Sequence, residues 1–514
     1  MKAGFMNKKN VLQWLEDSAR VYPEKTAFAD PSREITYIQL VTNAQKIGSF
    51  LAEKIAMNEP VSFYLEKSVL AISGMFGAVY AGGFYSLLDT RQPEVRLYKI
   101  LDVLESKILL TDEENFAKAQ ELFAEREIEI VKIEDILKKA AVNHSVLDRI
   151  RSDAMDTDPL YVNFTSGSTG TPKGVTVCHR SVIDFIEILD QTFGIRKDDI
   201  IGNQAPFDFD VSVKDIFSGI YTGATVMIIP REYFSNPTLL MDYLCDRHVT
   251  VLIWAVSAMC FVSIMNGFGY KIPSDVRLIM FSGEVMPIKQ LNKWRAALPN
   301  ATYVNLYGPT EITCNCTFHV LENREYALDE NIPIGRSFSN EKVFLLDEED
   351  HLVTAPGMQG EICVSGTCVA LGYYKDEEKT KAVFTQNPLN KKTYERIYRT
   401  GDLGKYLENG ELVYTSRKDF QIKHLGHRIE LGEIETAVQA RRSITRACCL
   451  YDQTKKRILL FYTGDREGKE LLTELRDILP PFMLPNKLTQ LEEMPMTKNG
   501  KIDRNQLKAL GGIK

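Results

Sequence analysis

A chain of 514 residues is too long for one hydrophobic core, so two or more domains are expected. Its 44% apolar and 25% charged residues and net charge of −7 are ordinary for a globular protein, and no basic block or basic-aromatic stripe points to nucleic acid. Nine cysteines form no Cys-x-x-Cys pair and seven histidines are scattered, so no metal cluster is legible, and reduced thiols in the cytosol are expected.

The start, "MKAGFMNKKNVLQWLED", lacks the apolar run of a secretory signal, and "NVLQWLEDSARVY" has helical spacing. Residues 68–88, "SVLAISGMFGAVYAGGFYSLL", form an uncharged run of 21, long enough to cross a bilayer. Gly82-Gly83 and the serines at 68, 73 and 86 argue instead for a buried helix, a glycine turn and a buried strand. Next comes "YVNFTSGSTGTPKGVTVCHR" (161–180), a short apolar run, then hydroxyls and glycines, then Pro172, Lys173 and Gly174. It fits neither the Walker loop nor the hydrolase elbow, yet a bent loop showing hydroxyls and amides suits an oxyanion, above all phosphate. A flexible surface loop is the plain alternative.

Further on, "FDFDVSVKDIF" (207–217) carries an aspartate, Asp210, that reads as a helix N-cap or as a functional carboxylate. The runs "ATVMIIP", "VTVLIWAV" and "VRLIMFSG" are short β-rich segments between helix-like stretches, which argues for α/β layers with largely parallel strands. From about residue 331 the texture changes to "KVFLLD", "GEICVSG" and "GELVYTSR", a mostly antiparallel β-rich piece. Residues 420–514 hold 17 Lys and Arg against 12 Asp and Glu, net +5, while the rest of the chain is net −12. A basic module of about 95 residues on a larger acidic body is the simplest partition.

Five stretches now form an ordered set: "TSGSTGTPKG", "NLYGPTE" (305–311), "YRTGDLGKY" (398–406), "SRKDFQIKHLGHRIELGEIE" (416–435) and "PMTKNGKIDR" (495–504). From about residue 11 to 508 the chain resembles the adenylate-forming superfamily, and most of all amino-acid adenylation domains of nonribosomal peptide synthesis and D-alanine–carrier protein ligases. The resemblance implies an α/β fold: a large N-terminal domain, 1–417, of layered α/β subdomains with a small β-rich piece, and a small mobile α+β C-terminal domain, 418–514. Its implied hinge is Asp419. ATP and Mg²⁺ are the implied cofactors.

The resemblance also implies roles. Thr165, Ser166, Gly167, Ser168, Thr169, Gly170 and Lys173 would cradle the β- and γ-phosphates, spreading their charge over many donors. Tyr307 would lie against adenine with Asn305 at its edge, Thr310 near the α-phosphate and Glu311 on Mg²⁺, and Gly308 would belong to the same ATP site. Asp402 would accept the ribose hydroxyls, with Arg417 reaching ribose or phosphate. Lys501 would bridge the substrate carboxylate and the α-phosphate. After domain rotation the Gly426 region would line the entry of a phosphopantetheine arm. Ser416 stands where glycine is usual, and His424-Leu425 precede Gly426.

For the acid, the resemblance puts Asp210 at the substrate ammonium, with Val211, Lys214, Trp254, Met280, Ser282, Leu306, Cys314 and Asn315 around the side chain. D-alanine ligases carry cysteine at the position of Ser282 and an apolar residue at that of Lys214, so the chain departs from them there. The bulk of Trp254, Met280 and Leu306 favours a small amino acid, with Asp210 neutralising Lys214; an acidic substrate meeting Lys214 is the other reading. The chain ends 13 residues after Lys501 without an Asp-Ser phosphopantetheine site. The carrier is then a separate protein, or the chain is part of a larger synthetase. A cytoplasmic monomer without a membrane span is expected. An acyl- or aryl-CoA ligase of the same fold is the alternative function.

Overall fold

The structure, a computed structural model, describes residues 9–167, 170–418, 421–496 and 502–513. Two compact units emerge, one of residues 1–89, 105–163 and 175–416, the other of 90–104, 164–174 and 417–514. The second thus takes in two segments beyond the C-terminal stretch read from the sequence.

In the larger unit a nine-stranded sheet has a parallel centre: Thr302–Tyr307, Leu278–Ser282, Val251–Ala255, Ile200–Asn203, Thr225–Ile228 and Thr26–Ala29. Antiparallel strands close its edges. A seven-stranded sheet is built around the parallel strands Phe84–Leu88, Pro60–Tyr64, Ile108–Thr111 and Glu129–Lys132. The "ATVMIIP", "VTVLIWAV" and "VRLIMFSG" runs are three of the parallel strands in the nine-stranded sheet, buried along almost their whole length.

The long uncharged run folds as the sequence suggests. Ser68 caps the helix Val69–Tyr80 by accepting from the amide of Ala71, and all twelve helical residues are buried. Gly82 then takes φ 74°, a left-handed turn that a side chain would strain, and the buried strand Phe84–Leu88 follows. A helix buried all round has no polar face, which is why it imitates a membrane span. Among the described residues no helix is long and apolar enough to cross a membrane.

The antiparallel piece contains Leu352–Val353, Glu341–Leu346, Gln359–Gly366, Arg396–Tyr406 and Phe384–Gln386, paired in that order. Glu341 opens one of its strands and is 6% exposed. Burial, reinforced by the charge of Asp184 and only partly opposed by the Cys368 thiol, pushes its carboxyl up to about 8. The folded state therefore holds this proton more tightly than the unfolded chain. Stability is fullest below the ordinary carboxylate range near 4.5 and falls as pH rises towards 8, by up to about 1.4 kcal/mol per pH unit. Glu341→Gln removes this dependence. Urea midpoints measured at pH 5 and pH 8 should fall further apart in the wild type than in the variant, and equal separations would refute the assignment.

The smaller unit pairs Ile444–Asp452 antiparallel and Lys487–Leu491 parallel to a central strand, Arg457–Gly464. Helices Leu431–Gln439 and Gly468–Arg476 cover one face through Ile434, Val438, Leu471 and Leu475, with Leu460 from the sheet. Adjacent Cys448 and Cys449 are buried strand residues, as their setting suggests.

Candidate functional site

The helix Val211–Thr222 starts on the segment that follows the strand Ile200–Asn203. Asp210 precedes it in αR conformation, and its side chain makes no capping hydrogen bond, so the N-cap reading fails. The half-buried Asp210 is the largest charge acting on the Tyr161 phenol, which burial first and Asp210 second push well above the usual range. The Tyr161 hydroxyl is buried without a hydrogen-bond partner. Cys314, held up at about 12 mainly by burial, feels Lys214 and Asp210 with opposite signs. Asp210, Lys214, Cys314 and Tyr161 are thus linked electrostatically. Tyr161 is the member that sequence reading missed, because an apolar strand before a glycine loop gives no sign of an orphaned hydroxyl.

Lys214 is fully buried, and its ammonium donates to Asn315 Oδ1 at 2.6 Å. Its charge is one of those acting on the Asp215 carboxyl, which burial pushes up to about 7. Asn315 follows Thr313 and Cys314, at φ 55° and 83°, two left-handed non-glycine residues that cost on the order of 1–3 kcal/mol each. The turn is held by Thr313 Oγ1 donating to the Cys368 carbonyl at 2.7 Å. It also needs Gly308, where a Cβ would stand 2.5 Å from Asn315 Cα.

Strand register divides the expected side-chain pocket. Ile253, Met280 and Val304 are neighbours on one face, with Leu306 two residues on, and all lie in the core that includes Val213 and Ile216 of the helix. Trp254, Phe281 and Asn305 point to the other face. The Trp254 indole donates to the Gly202 carbonyl at 2.8 Å and meets Phe234 and Trp294 edge-on. Trp254 therefore does not share the wall of Met280 and Leu306, and Ile253 and Ala255 occupy its expected place. Ser282, beside Ala255, is buried, and Val211 is half-buried at the helix start.

On the Asn305 side, the Asn305 amide donates to the Pro333 carbonyl at 2.8 Å. Tyr307 Oη donates to Asp402 Oδ2 at 2.6 Å, and both residues are buried. The short helix Thr310–Ile312 carries Glu311, fully buried, whose Oε1 accepts from the Tyr373 hydroxyl at 2.8 Å.

The smaller unit contains the glycine-rich loop. The Thr165 hydroxyl is buried without a hydrogen-bond partner. Ser166 Oγ donates to the Arg428 carbonyl at 2.9 Å and accepts from the Glu430 amide at 3.0 Å. The Gly167 amide donates to Glu433 Oε2 at 3.2 Å, and Lys173 Nζ lies 3.5 Å from Glu430 Oε1. Gly170 offers its carbonyl to Lys99 at 2.7 Å. Two donors of this loop, the Gly167 amide and Lys173, thus already hold carboxylate oxygens, as an oxyanion cradle would. Arg417 closes the strand Leu412–Arg417. Ser168, Thr169, Asp419 and Lys501 lie outside the described residues.

Known proteins carry the same architecture. Over 99% of both chains it is similar, at TM-score 0.83 and 20% identity, to the Vibrio cholerae adenylation domain AlmE solved in complex with glycyl-adenosine-5'-phosphate. Holo-PA1221, described as an NRPS protein containing adenylation and PCP domains, gives TM-score 0.83 at 23% identity over 98% of this chain and 84% of that one. In sequence the chain is 29% identical over 507 residues to Tyrocidine synthase 1 of Brevibacillus parabrevis, 97% of this chain and 45% of that protein. It is 30% identical over 522 residues to Bacitracin synthase 1 of Bacillus licheniformis, 98% of this chain and 9% of that protein. The chain spans less than half the length of either relative. The family described as AMP-binding enzyme matches residues 15–374, most of the chain and all of the larger unit's parallel strands. The chain belongs to this family of adenylate-forming AMP-binding enzymes.

Proposed function

We propose that this enzyme activates an amino acid as aminoacyl-AMP, releasing pyrophosphate, and passes it to the phosphopantetheine thiol of a carrier protein. One observation supports the amino-acid part: the carboxylate of Asp210 does not cap its helix, and its charge reaches the orphaned Tyr161 hydroxyl and Cys314. An ammonium leaving water needs such a countercharge, whereas a fatty or aryl acid needs none. The synthetases among the relatives and the glycyl-adenosine-5'-phosphate bound to AlmE agree with this reading. The preference for a small side chain loses the support of Trp254, which faces away.

In the first step a substrate carboxylate oxygen bonds to the α-phosphorus of ATP, and the bond to pyrophosphate breaks. Thr165, Ser166, Gly167, Ser168, Thr169, Gly170 and Lys173 would hold the leaving phosphates. Asn305, Tyr307 and Gly308 would seat adenine, Thr310 the α-phosphate, and Asp402 and Arg417 the ribose. Glu311, a fully buried carboxylate, is the kind of oxygen donor that suits Mg²⁺. Bound there, Mg²⁺ would offset the triphosphate charge. Lys501 would stabilise charge on the pentavalent phosphorus, and residues 418–514, turning at Asp419, would remove it before the thiol attacks the acyl carbon and AMP leaves.

Carrier proteins that present phosphopantetheine tend to be acidic, and residues 420–514 are net +5. Charge then steers docking, so loading of a holo-carrier should weaken as salt rises to several hundred millimolar while pyrophosphate exchange changes little. Coenzyme A accepting the acyl group as well as the carrier does, or both half-reactions responding alike to salt, would overturn the carrier assignment.

A further inference from the structure

The ends of the segment bearing Asp210 are stapled together beneath it. Asn203 Nδ2 donates to Asp215 Oδ2 at 2.7 Å, joining the end of the strand Ile200–Asn203 to the helix Val211–Thr222. Residues 204–214 form a closed loop above this bond and carry Asp210, Val211 and Lys214. Lys67 lies under the staple. Its ammonium donates to Asn203 Oδ1 at 3.1 Å, to the Gln204 carbonyl at 2.7 Å and to the Asn203 carbonyl at 3.3 Å. The loop itself has little slack, being closed by Phe209 N to Pro206 O at 3.2 Å and Ser212 N to Phe209 O at 3.1 Å. Lys67 follows the strand Pro60–Tyr64 of the seven-stranded sheet, while its acceptors end a strand of the nine-stranded one. It therefore ties the carboxyl ends of two sheets, the edge where open α/β sheets bind ligands.

We propose that Lys67 is a positioning residue for the amino-acid side of the site, acting through Asn203 and Asp215 on the loop that presents Asp210 and Lys214. This rests on the amino-acid reading above. Asp215 supplies the countercharge that both Lys67 and Lys214 share, so the staple also sets the electrostatic setting of the Lys214–Asn315 contact. Stability alone does not require an ammonium here, since burial drives the Lys67 group down to about 7 and an apolar side chain of equal length would escape that cost. The contacts of Asn305, Tyr307, Asp402 and Glu311 described above involve none of these residues.

The test is amino-acid-dependent pyrophosphate exchange by the full chain, with wild type, Lys67→Met, Asn203→Leu and the double variant. Lys67→Met should raise the amino-acid KM by about 10- to 100-fold, the range for a small misplacement of a binding group, with the ATP KM within about twofold. The double variant should be no worse than the more severe single one, because both cut the same staple. Asn203→Leu makes the same split testable should Lys67→Met fail to fold. An amino-acid KM within about twofold of wild type, or both KM values rising together, overturns the positioning role. Wild type that exchanges with no amino acid overturns the functional reading first, and is recognised before any variant is measured.

Discussion

Replacing Lys501 with Ala should lower amino-acid-dependent pyrophosphate exchange by about 10²–10³, the usual loss on removing one preorganised donor to a developing charge. The described residues on either side of it are anchored. Met496 bridges to Ile502, and Asp503 caps the helix Arg504–Gly511 by accepting from the amides of Asn505 and Gln506. Thioester formation from supplied aminoacyl-AMP should stay near the wild-type rate, since in the proposed reaction the residue would act only while phosphorus is being attacked. Rapid-quench measurement of both half-reactions decides this. An equal loss in both would remove Lys501 from the adenylation step.

Asp210→Asn should be comparably severe for a different reason. The change keeps shape and removes charge, and on the proposed reading it would leave the substrate ammonium desolvated without its partner. Breaking one side of a buried ion pair costs about 3–5 kcal/mol, or roughly 10²–10⁴ in kcat/KM. The loss should fall on the amino acid, with the ATP KM little changed, and the matching carboxylic acid without the amino group should become the relatively better substrate. A variant that activates amino acids within about threefold of wild type would mean that Asp210 does not meet the ammonium.

Much of the fold could be read because local pattern and tertiary demand agree. Glycine turns cut the apolar runs at 82–83, and the switch to antiparallel texture near residue 331 is a true change of sheet. The places where reading stopped have a common cause. In "VLIWA" every residue is buried or nearly so, and a strand covered on both faces carries no alternation to say which side Trp254 takes. Register with Phe281 and Asn305 settles it. Lys214 was legible as a cation needing a partner, but its partner, Asn315, lies 101 residues away across a left-handed turn. Nothing in the sequence around Lys67 shows that the carbonyls of residues 203–205 close around it. The grouping of residues 90–104 and 164–174 with the C-terminal stretch depends on contacts such as Arg96 to Glu433 at 2.6 Å, between positions 337 apart.

The central claim is that this site activates amino acids and not carboxylic acids in general. It is tested most directly by ATP–pyrophosphate exchange across a panel of L- and D-amino acids, their des-amino and hydroxy analogues, and fatty and aryl acids. The account predicts exchange with at least one amino acid, and exchange about 10²-fold weaker with its des-amino analogue, because Asp210 would then be left without its cation. Strong exchange with fatty or aryl acids, and none with any amino acid, would contradict it.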